Sequence, residues 1–336
     1  MALVGSAGPG KAWTKPGTVD SMLPSLAAAI TKVASNQTYY TIRFLVDRPL
    51  VDDAYRAYAY FRWIDDVVDE EKPTGTAHRS DEERLVRLRF LERQKVLLEA
   101  CLSGEKPGDV DAHEAMLVEL VRHADRSDPR LVAYLRHMML VMEFDVGRRG
   151  RLVTRQELDD YTRWLAIAVA EAMHYFIGNS AAAPHDETRY QAVSGAHVVH
   201  MLRDTYGDVR AGYFNVPREV LEASSIGPAD VRCDAYRAWV KERVLLARAC
   251  FDAGQSYFAR VQSRRHRLAG IAYMARFEWL IETLERNGFT LQGEYPEQRS
   301  LVTGLRMGGY VVSSLARPRS LRREAVPIAA TRADRS

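Results

Sequence analysis

Tyr58-Ala-Tyr-Phe-Arg62-Trp-Ile-Asp65-Asp66-Val-Val-Asp69-Glu70 is one of two short acidic stretches that decide how this chain is read. The other is His200-Met-Leu-Arg203-Asp204-Thr-Tyr-Gly-Asp208. Each sets one aspartate four residues after another in a segment of helical pattern. At roughly 100° per residue, positions four apart share a face. Two such pairs facing one another would line a cleft with carboxylates. Crowded carboxylates repel and resist burial unless a cation or proton offsets them. For all-oxygen ligands the natural cation is Mg²⁺, whose usual protein-bound partner is a phosphate.

Within the first stretch, Tyr58, Arg62, Asp65 and Asp69 fall in a helical stripe of roughly 60°, with Asp66 farther round. Asp65 and Asp69 are therefore the leading metal ligands of this helix and Asp66 a secondary one. Arg62, one turn before Asp65, can grip a diphosphate as a fork while the acids hold metal. In the second region His197, His200, Asp204 and Asp208 share a stripe of roughly 80°. Arg203 flanks that stripe and Arg210 follows it. Bland alternatives stand beside these. Acidic helix faces are usually solvated, the histidines could be satisfied core residues, and Asp208 could be a helix-end acid. Imidazole also suits zinc, but no HExxH is present.

Outward from these motifs, the pattern from Met22 to about Gly288 is helical, with no convincing strand alternation. Helices are expected near 22–35, 50–71, 81–102, 111–124, 129–146, 155–178, 187–209, 229–262 and 265–287, separated by Pro- and Gly-containing breakers such as Lys72-Pro-Thr-Gly. Ser80 and Glu83 read as a capping box at one helix start. The 336 residues suffice for one large domain or two. The economical architecture is all-α: a flexible lead over 1–20, one helical domain over 21–294, and a basic, partly ordered tail over 295–336. The tail mixes apolar residues with Gly and Arg, a composition that would suit peripheral contact with a membrane.

Hydrophobic content of 47% and charged content of 27% are ordinary for a globular protein. A net charge of +3 is too small to argue for a nucleic-acid partner. The three cysteines, Cys101, Cys233 and Cys250, fit neither a disulfide framework nor a zinc pattern. With no signal-peptide pattern, a cytoplasmic location is expected. The most apolar segment, Trp164 to Gly178, is interrupted by Glu171 and His174 and reads as a buried helix.

The chain resembles the squalene/phytoene synthase family of head-to-head prenyl synthases. The resemblance rests on Tyr58, Arg62, Asp65 and Asp69, and on Leu202-Arg203-Asp204 with Asp208, followed by Gly212 and Pro217 at family spacing. Thr38-Tyr39-Tyr40 is similar to the family's upstream Ser-Phe-x-Tyr. It implies an isoprenoid-synthase helical bundle around a central cavity. There Asp65, Asp69, Asp204 and Asp208 would hold Mg²⁺, or Mn²⁺ in its place, against a prenyl diphosphate. Metal and arginine would neutralise the departing diphosphate, and an apolar, aromatic cavity would shield the allylic cation from water. By the same resemblance Tyr58, Arg62 and Tyr161 are catalytic candidates, and His200 joins them at a position where the chain departs from the family. Thr38, Tyr39, Arg62, Arg203, Arg210, His197, Ile167, Glu171 and Phe277 are expected to face substrate. Tyr58, Tyr161, Tyr175 and Phe277 are candidate wall residues.

The chain departs from the family at three places. His197 and His200 stand where Gln-x-x-Asn is usual, and His200 could ligate, donate to diphosphate or act as a base. Tyr213-Phe-Asn215-Val-Pro217 replaces Arg-x-Tyr-x-Pro. Trp164-Leu-Ala-Ile167-Ala-Val-Ala170-Glu171 replaces a Gly-rich stretch that lets a prenyl tail pass close to backbone, so Ile167 and Ala170 are expected to narrow that passage. Glu171 is either a buried partner of an Arg or His or a part of the reacting site. The expected function is Mg-dependent coupling of two prenyl units. The alternatives are the same ionisation with a small aromatic acceptor, or cyclisation. A non-catalytic assembly factor would have lost its aspartates, and a terpene cyclase would carry a different second motif. With no dinucleotide fingerprint, use of NADPH stays open.

Overall fold

The computed structural model describes residues 19–69 and 77–295. The elements run α1 (Val19–Ala34), α2 (Asn36–Leu45), α3 (Val51–Asp69), α4 (Ala77–Ser103), α5 (Glu114–His123), α6 (Pro129–Arg148), α7 (Arg155–Phe176), α8 (Gln191–Ala211), α9 (Arg218–Ser224), α10 (Asp234–Phe258) and α11 (Arg264–Arg286), with single 3-10 turns at Arg48–Leu50 and Glu187–Tyr190. No strand occurs among the described residues. The fold is all-α, and every helix expected from periodicity is present. Two helices were not expected. α2 mixes Thr, Tyr and Asn, which are weak helix formers. α9 is too short to show a period.

Local signals set several boundaries. Thr154 and Glu157 form a capping box that opens α7, each bonding the other's backbone N–H at 3.2 and 2.7 Å. Asp128 caps α6, with Pro129 at its first position. α8 stops where Gly212 turns left-handed at φ 83°. α4 is already helical at Ala77, so Ser80 lies inside its first turn and not at the expected cap. The expected Lys72-Pro-Thr-Gly breaker lies outside the described residues. So do the flexible lead and the basic tail, apart from residues 19, 20 and 295.

The helices bury two large apolar clusters. One is built mainly from α1 to α7 and includes Tyr60, Ile64, Leu117, Leu131 and Leu135. The other gathers α8 to α11 around Val199, Tyr236, Phe251, Met274 and Ile281. α8 is the hinge between them, packed on α7 on one side and on α10 and α11 on the other. Its approach to α10 is close: a Cβ on Gly254 would lie 3.1 Å from the backbone of Ala192. α3, α6, α7 and α8 meet along this seam, and the seam holds the polar cavity described next. Cys101 and Cys250 are buried and unpaired, and no described helix is long and apolar enough to cross a membrane.

Candidate active site

α3 carries Asp65 and Asp69 on one side of the seam, and α8 carries His197, His200, Asp204 and Asp208 on the other. All six line one cavity of about 270 Å3, together with Met142, Asp145 and Arg148 of α6, Tyr161 of α7, and Tyr213 just beyond α8. The 60° and 80° stripes therefore face each other across the seam. Tyr213 ties the two sides, its hydroxyl donating to Asp69 at 3.4 Å.

A second cavity of about 430 Å3 runs away from the first. Its wall is mostly apolar, with Phe61, Tyr134, Met138, Met173 and Phe176, and Thr38, Tyr58 and Arg62 also line it. Asp65 and Met142 line both spaces, so the acidic hollow and the apolar one adjoin at α3 and α6.

The carboxylates are poorly compensated. Burial pushes Asp65 up to about 6, and the charge of Asp69 adds to that against the opposing Arg62. Burial likewise takes Asp208 up to about 6, with Asn215 donating to it and Asp204 repelling it. Asp145 is raised by burial despite Arg148. Asp204 differs: burial would raise it, but hydrogen bonds from Arg203 and His200 outweigh that and hold it below the usual carboxylate range. Arg203 grips both Asp204 oxygens at 2.7 Å, and His200 Nε2 lies 2.9 Å from Oδ2.

Sequence reasoning missed Asp145 and Arg148, and named Tyr213 and Asn215 only as a departure from the family pattern, without a role in the site. Tyr161 donates to Asp145 Oδ2 at 2.9 Å, and Arg148 donates to Asp145 Oδ1 at 2.7 Å. Arg148 also donates to Asn215 Oδ1, and Asn215 donates on to Asp208 Oδ2, both at 2.7 Å. A continuous polar chain thus joins α7, α6 and the end of α8. The Arg148 guanidinium lies 5.0 Å from the Tyr161 ring centre and 4.9 Å from that of Tyr213. The one sequence signal was an acid three residues before an arginine at the end of an apolar helix.

The other expected site residues are dispersed. Thr38, Tyr58 and Arg62 line the apolar cavity, as stated. Arg62 donates to Asp65 at 3.0 Å and also pairs with Asp66, which is exposed and lines neither cavity. Tyr39 stacks on Tyr55, Phe277 is buried in the second cluster with its ring 6.3 Å from His200, and Arg210 is exposed on the last turn of α8. None of the three lines either cavity. Glu171 lies away from both, buried as the partner of Arg189, with Tyr190 donating to it at 2.9 Å. Ile167 lines neither cavity and Ala170 packs on Val193, so neither narrows the apolar space; its α7 wall is Val169, Ala172, Met173 and Phe176. α7 is apolar on more than one face, so periodicity could not tell which face turns to the cavity. Tyr175 packs beside Arg130, outside both cavities.

His197 is 5% exposed, and neither ring nitrogen has a hydrogen-bond partner among the described residues. Its ring meets Tyr161 edge-on at 4.8 Å. Burial, with nearby His200 and Arg148, pushes it down to about 3 and keeps the imidazole neutral.

The donor set can be tested against a metal. Among the described residues no three His, Cys, Asp or Glu side chains stand close enough to share an ion. The acids are turned instead to Arg62, Arg203, His200 and Asn215. Their chemistry nonetheless suits a hard divalent cation: carboxylate oxygens without thiolates, crowded enough that two are pushed up to about 6.

A comparison with protein families matches residues 31–306 to squalene/phytoene synthase. Among solved structures, the squalene synthase HpnC from Alicyclobacillus acidocaldarius is similar at 18% identity and a TM-score of 0.61, over 83% of this chain and 98% of that one. A dehydrosqualene synthase in complex with ligand is similar at 15% identity and a TM-score of 0.63, over 90% and 98%. At such identities the likeness is one of fold. Among curated proteins none matches.

Proposed function

The chain belongs to the squalene/phytoene synthase family and is a prenyltransferase-type enzyme; from that premise we propose that it ionises an allylic prenyl diphosphate and joins the cation to a second prenyl unit, 1 to 1′. The observation that carries the proposal is the adjoining pair of cavities. An amphiphile with an anionic head and a hydrocarbon tail matches an acid-lined hollow that adjoins, at Asp65 and Met142, an apolar one.

Acids alone would repel a diphosphate, so the head requires a cation between. Asp65, Asp69, Asp204 and Asp208 would hold Mg²⁺, or Mn²⁺ through the same oxygens, with Asp145 beside them. The ion supplies charge neutralisation and Lewis acidity at the leaving group. The chain's own residues do the rest. Arg62, which lines the apolar cavity, is paired with Asp65, and Arg203, which lines neither cavity, is paired with Asp204; either guanidinium could turn to phosphate oxygens if those acids engaged a cation. The buried Arg148 adds fixed positive charge. Phe61, Tyr134, Met138, Met173 and Phe176 enclose the tail and exclude water. Tyr161 Oη and His200 Nε2 already donate their protons to Asp145 and Asp204, so each could relay a released proton only by passing its own to that carboxylate.

A second reading is favoured by His197. A neutral imidazole with both nitrogens unsatisfied suits an acceptor that itself carries a hydroxyl or N–H, such as a small phenol. Incubating the purified protein with Mg²⁺ and dimethylallyl, geranyl, farnesyl or geranylgeranyl diphosphate, with and without a phenolic acceptor, tests both. A hydrocarbon of doubled chain length from the diphosphate alone supports coupling. A product formed only with the phenol supports the second reading. No consumption of any diphosphate defeats both.

A further inference from the structure

α2 presents two different faces. Thr38, Thr41 and Ile42 line the apolar cavity. Roughly 130° round the helix, Tyr40 and Phe44 point outward. They are 50% and 69% exposed, and their rings stack at 6.1 Å. Val33, on the last turn of α1 before the single-residue link at Ser35, is 90% exposed. Exposed aromatic and aliphatic groups concentrated at one corner are costly to leave in water and mark a contact surface.

The surrounding charge says what kind. Lys32 sits 5.5 Å from the Tyr39 ring, whose edge meets Tyr40 at 5.3 Å. Arg43 lies beside Phe44 on the exposed side, and Arg48 follows in the next turn. No described residue forms an ion pair with Lys32, Arg43 or Arg48. The nearby Asp47 is taken by Arg265, which leaves Asp52 as the one exposed acid close in sequence. Aromatic groups ringed by uncompensated cations fit the interface of an anionic bilayer, where rings sit at headgroup depth and bases meet phosphate.

We propose that the α1–α2 corner, through Val33, Tyr40, Phe44, Lys32 and Arg43, docks the protein on the surface of an anionic phospholipid bilayer. The purpose rests on the prenyl-coupling proposal: joining two tails with loss of both diphosphates and a proton yields a product with no water-soluble end. α2 is a wall of the tail cavity, so docking its outer face sets that cavity one helix away from the lipid. The surface does not involve the residues expected to hold metal or diphosphate.

Co-sedimentation of the full chain with vesicles tests it. The wild-type chain should bind vesicles of phosphatidylcholine with phosphatidylglycerol and not those of phosphatidylcholine alone. The Tyr40→Ser/Phe44→Ser variant should lose binding about tenfold, since its aromatic contact is gone. Lys32→Glu/Arg43→Glu should lose as much, and the residual binding should no longer depend on phosphatidylglycerol. Both should keep the wild-type melting temperature and consume prenyl diphosphate in detergent at the wild-type rate. Unchanged vesicle binding by both variants overturns the proposal and moves the contact elsewhere, residues 295–336 included. So does a wild-type dimer that Tyr40→Ser/Phe44→Ser dissociates, because the patch then covers a second copy. If the wild type binds vesicles as described but consumes no prenyl diphosphate, the coupling chemistry fails and the docking surface stands.

Discussion

Arg148 is the residue on which most of the polar chain converges. It neutralises Asp145, fixes Asn215, and through Asn215 positions Asp208. Its side chain is 8% exposed, so removing it strands a carboxylate that already sits near other acids. Breaking such a pair from one side is expensive because the remaining charge is left without compensation. Arg148→Met should therefore lower the stability read by urea unfolding by about 3–5 kcal/mol. Asp65→Asn acts in the opposite sense on the same cavity. Burial and Asp69 disfavour the Asp65 charge, so an amide relieves repulsion. Its unfolding midpoint should stay level or rise while prenyl diphosphate turnover falls about 100-fold or more. A stable but inactive Asp65→Asn beside a destabilised Arg148→Met would separate a ligand for cation from a scaffold charge.

At the scale of elements, α8 sets the site because it carries one acid pair and is packed on both neighbours. Its distance from α10 depends on Gly254, where an added Cβ would meet Ala192 Cβ at 2.8 Å and the Ala192 backbone at 3.1 Å. Backbone cannot step aside as a flexible side chain can. Gly254→Ala gains about 1 kcal/mol of helix propensity, but overpacking of this kind costs about 1–3 kcal/mol. The expected outcome is a lower melting temperature together with weaker prenyl diphosphate binding, because α8 must shift away from α10 and carry Asp204 and Asp208 with it. Calorimetric titration of the variant checks the second effect.

Across the whole molecule, buried histidines bridge the two clusters. His174 of α7 contacts His266 of α11, ring centres 4.0 Å apart, and its Nε2 lies 2.7 Å from the Tyr257 hydroxyl of α10. Burial, with each other's proximity and Arg189, pushes His174 down to about 2, and burial with Arg189 pushes His266 down to about 4. A histidine whose folded pKa is depressed binds its proton only on unfolding. Its contribution is complete above the unfolded value of about 6.5 and is lost as pH falls toward the folded value. His197, down to about 3, acts with the same sign. Asp65 and Asp208, raised to about 6, oppose it, since protonating them relieves repulsion in the folded state. Asp145 and Asp159, also raised by burial, act with these acids, but the three histidines are displaced further from their ordinary value, so the urea midpoint should fall as pH is lowered from about 7.5 to about 5. His266→Gln should flatten that slope. A midpoint that rises over this range would mean the acids dominate.

The amino-acid sequence by itself determined the all-α class, the course of the longer helices, and which side chains share a stripe on α3 and on α8. These are local properties, fixed by a 3.6-residue period and by caps a few residues long. It also carried the family, through two acid motifs and their flanks. Only the tertiary structure decided that the two stripes face one another, that Asp145, Arg148 and Asn215 join them, and that Val169, Ala172, Met173 and Phe176, not Ile167 and Ala170, wall the tail cavity. It also turned Glu171 toward Arg189 and left the outer face of α2 bare. The physical reason is that a helix's period names its faces but not their partners. Which face meets which neighbour depends on packing among segments far apart in the chain, and α7, apolar on several faces, permits more than one choice until that packing is made.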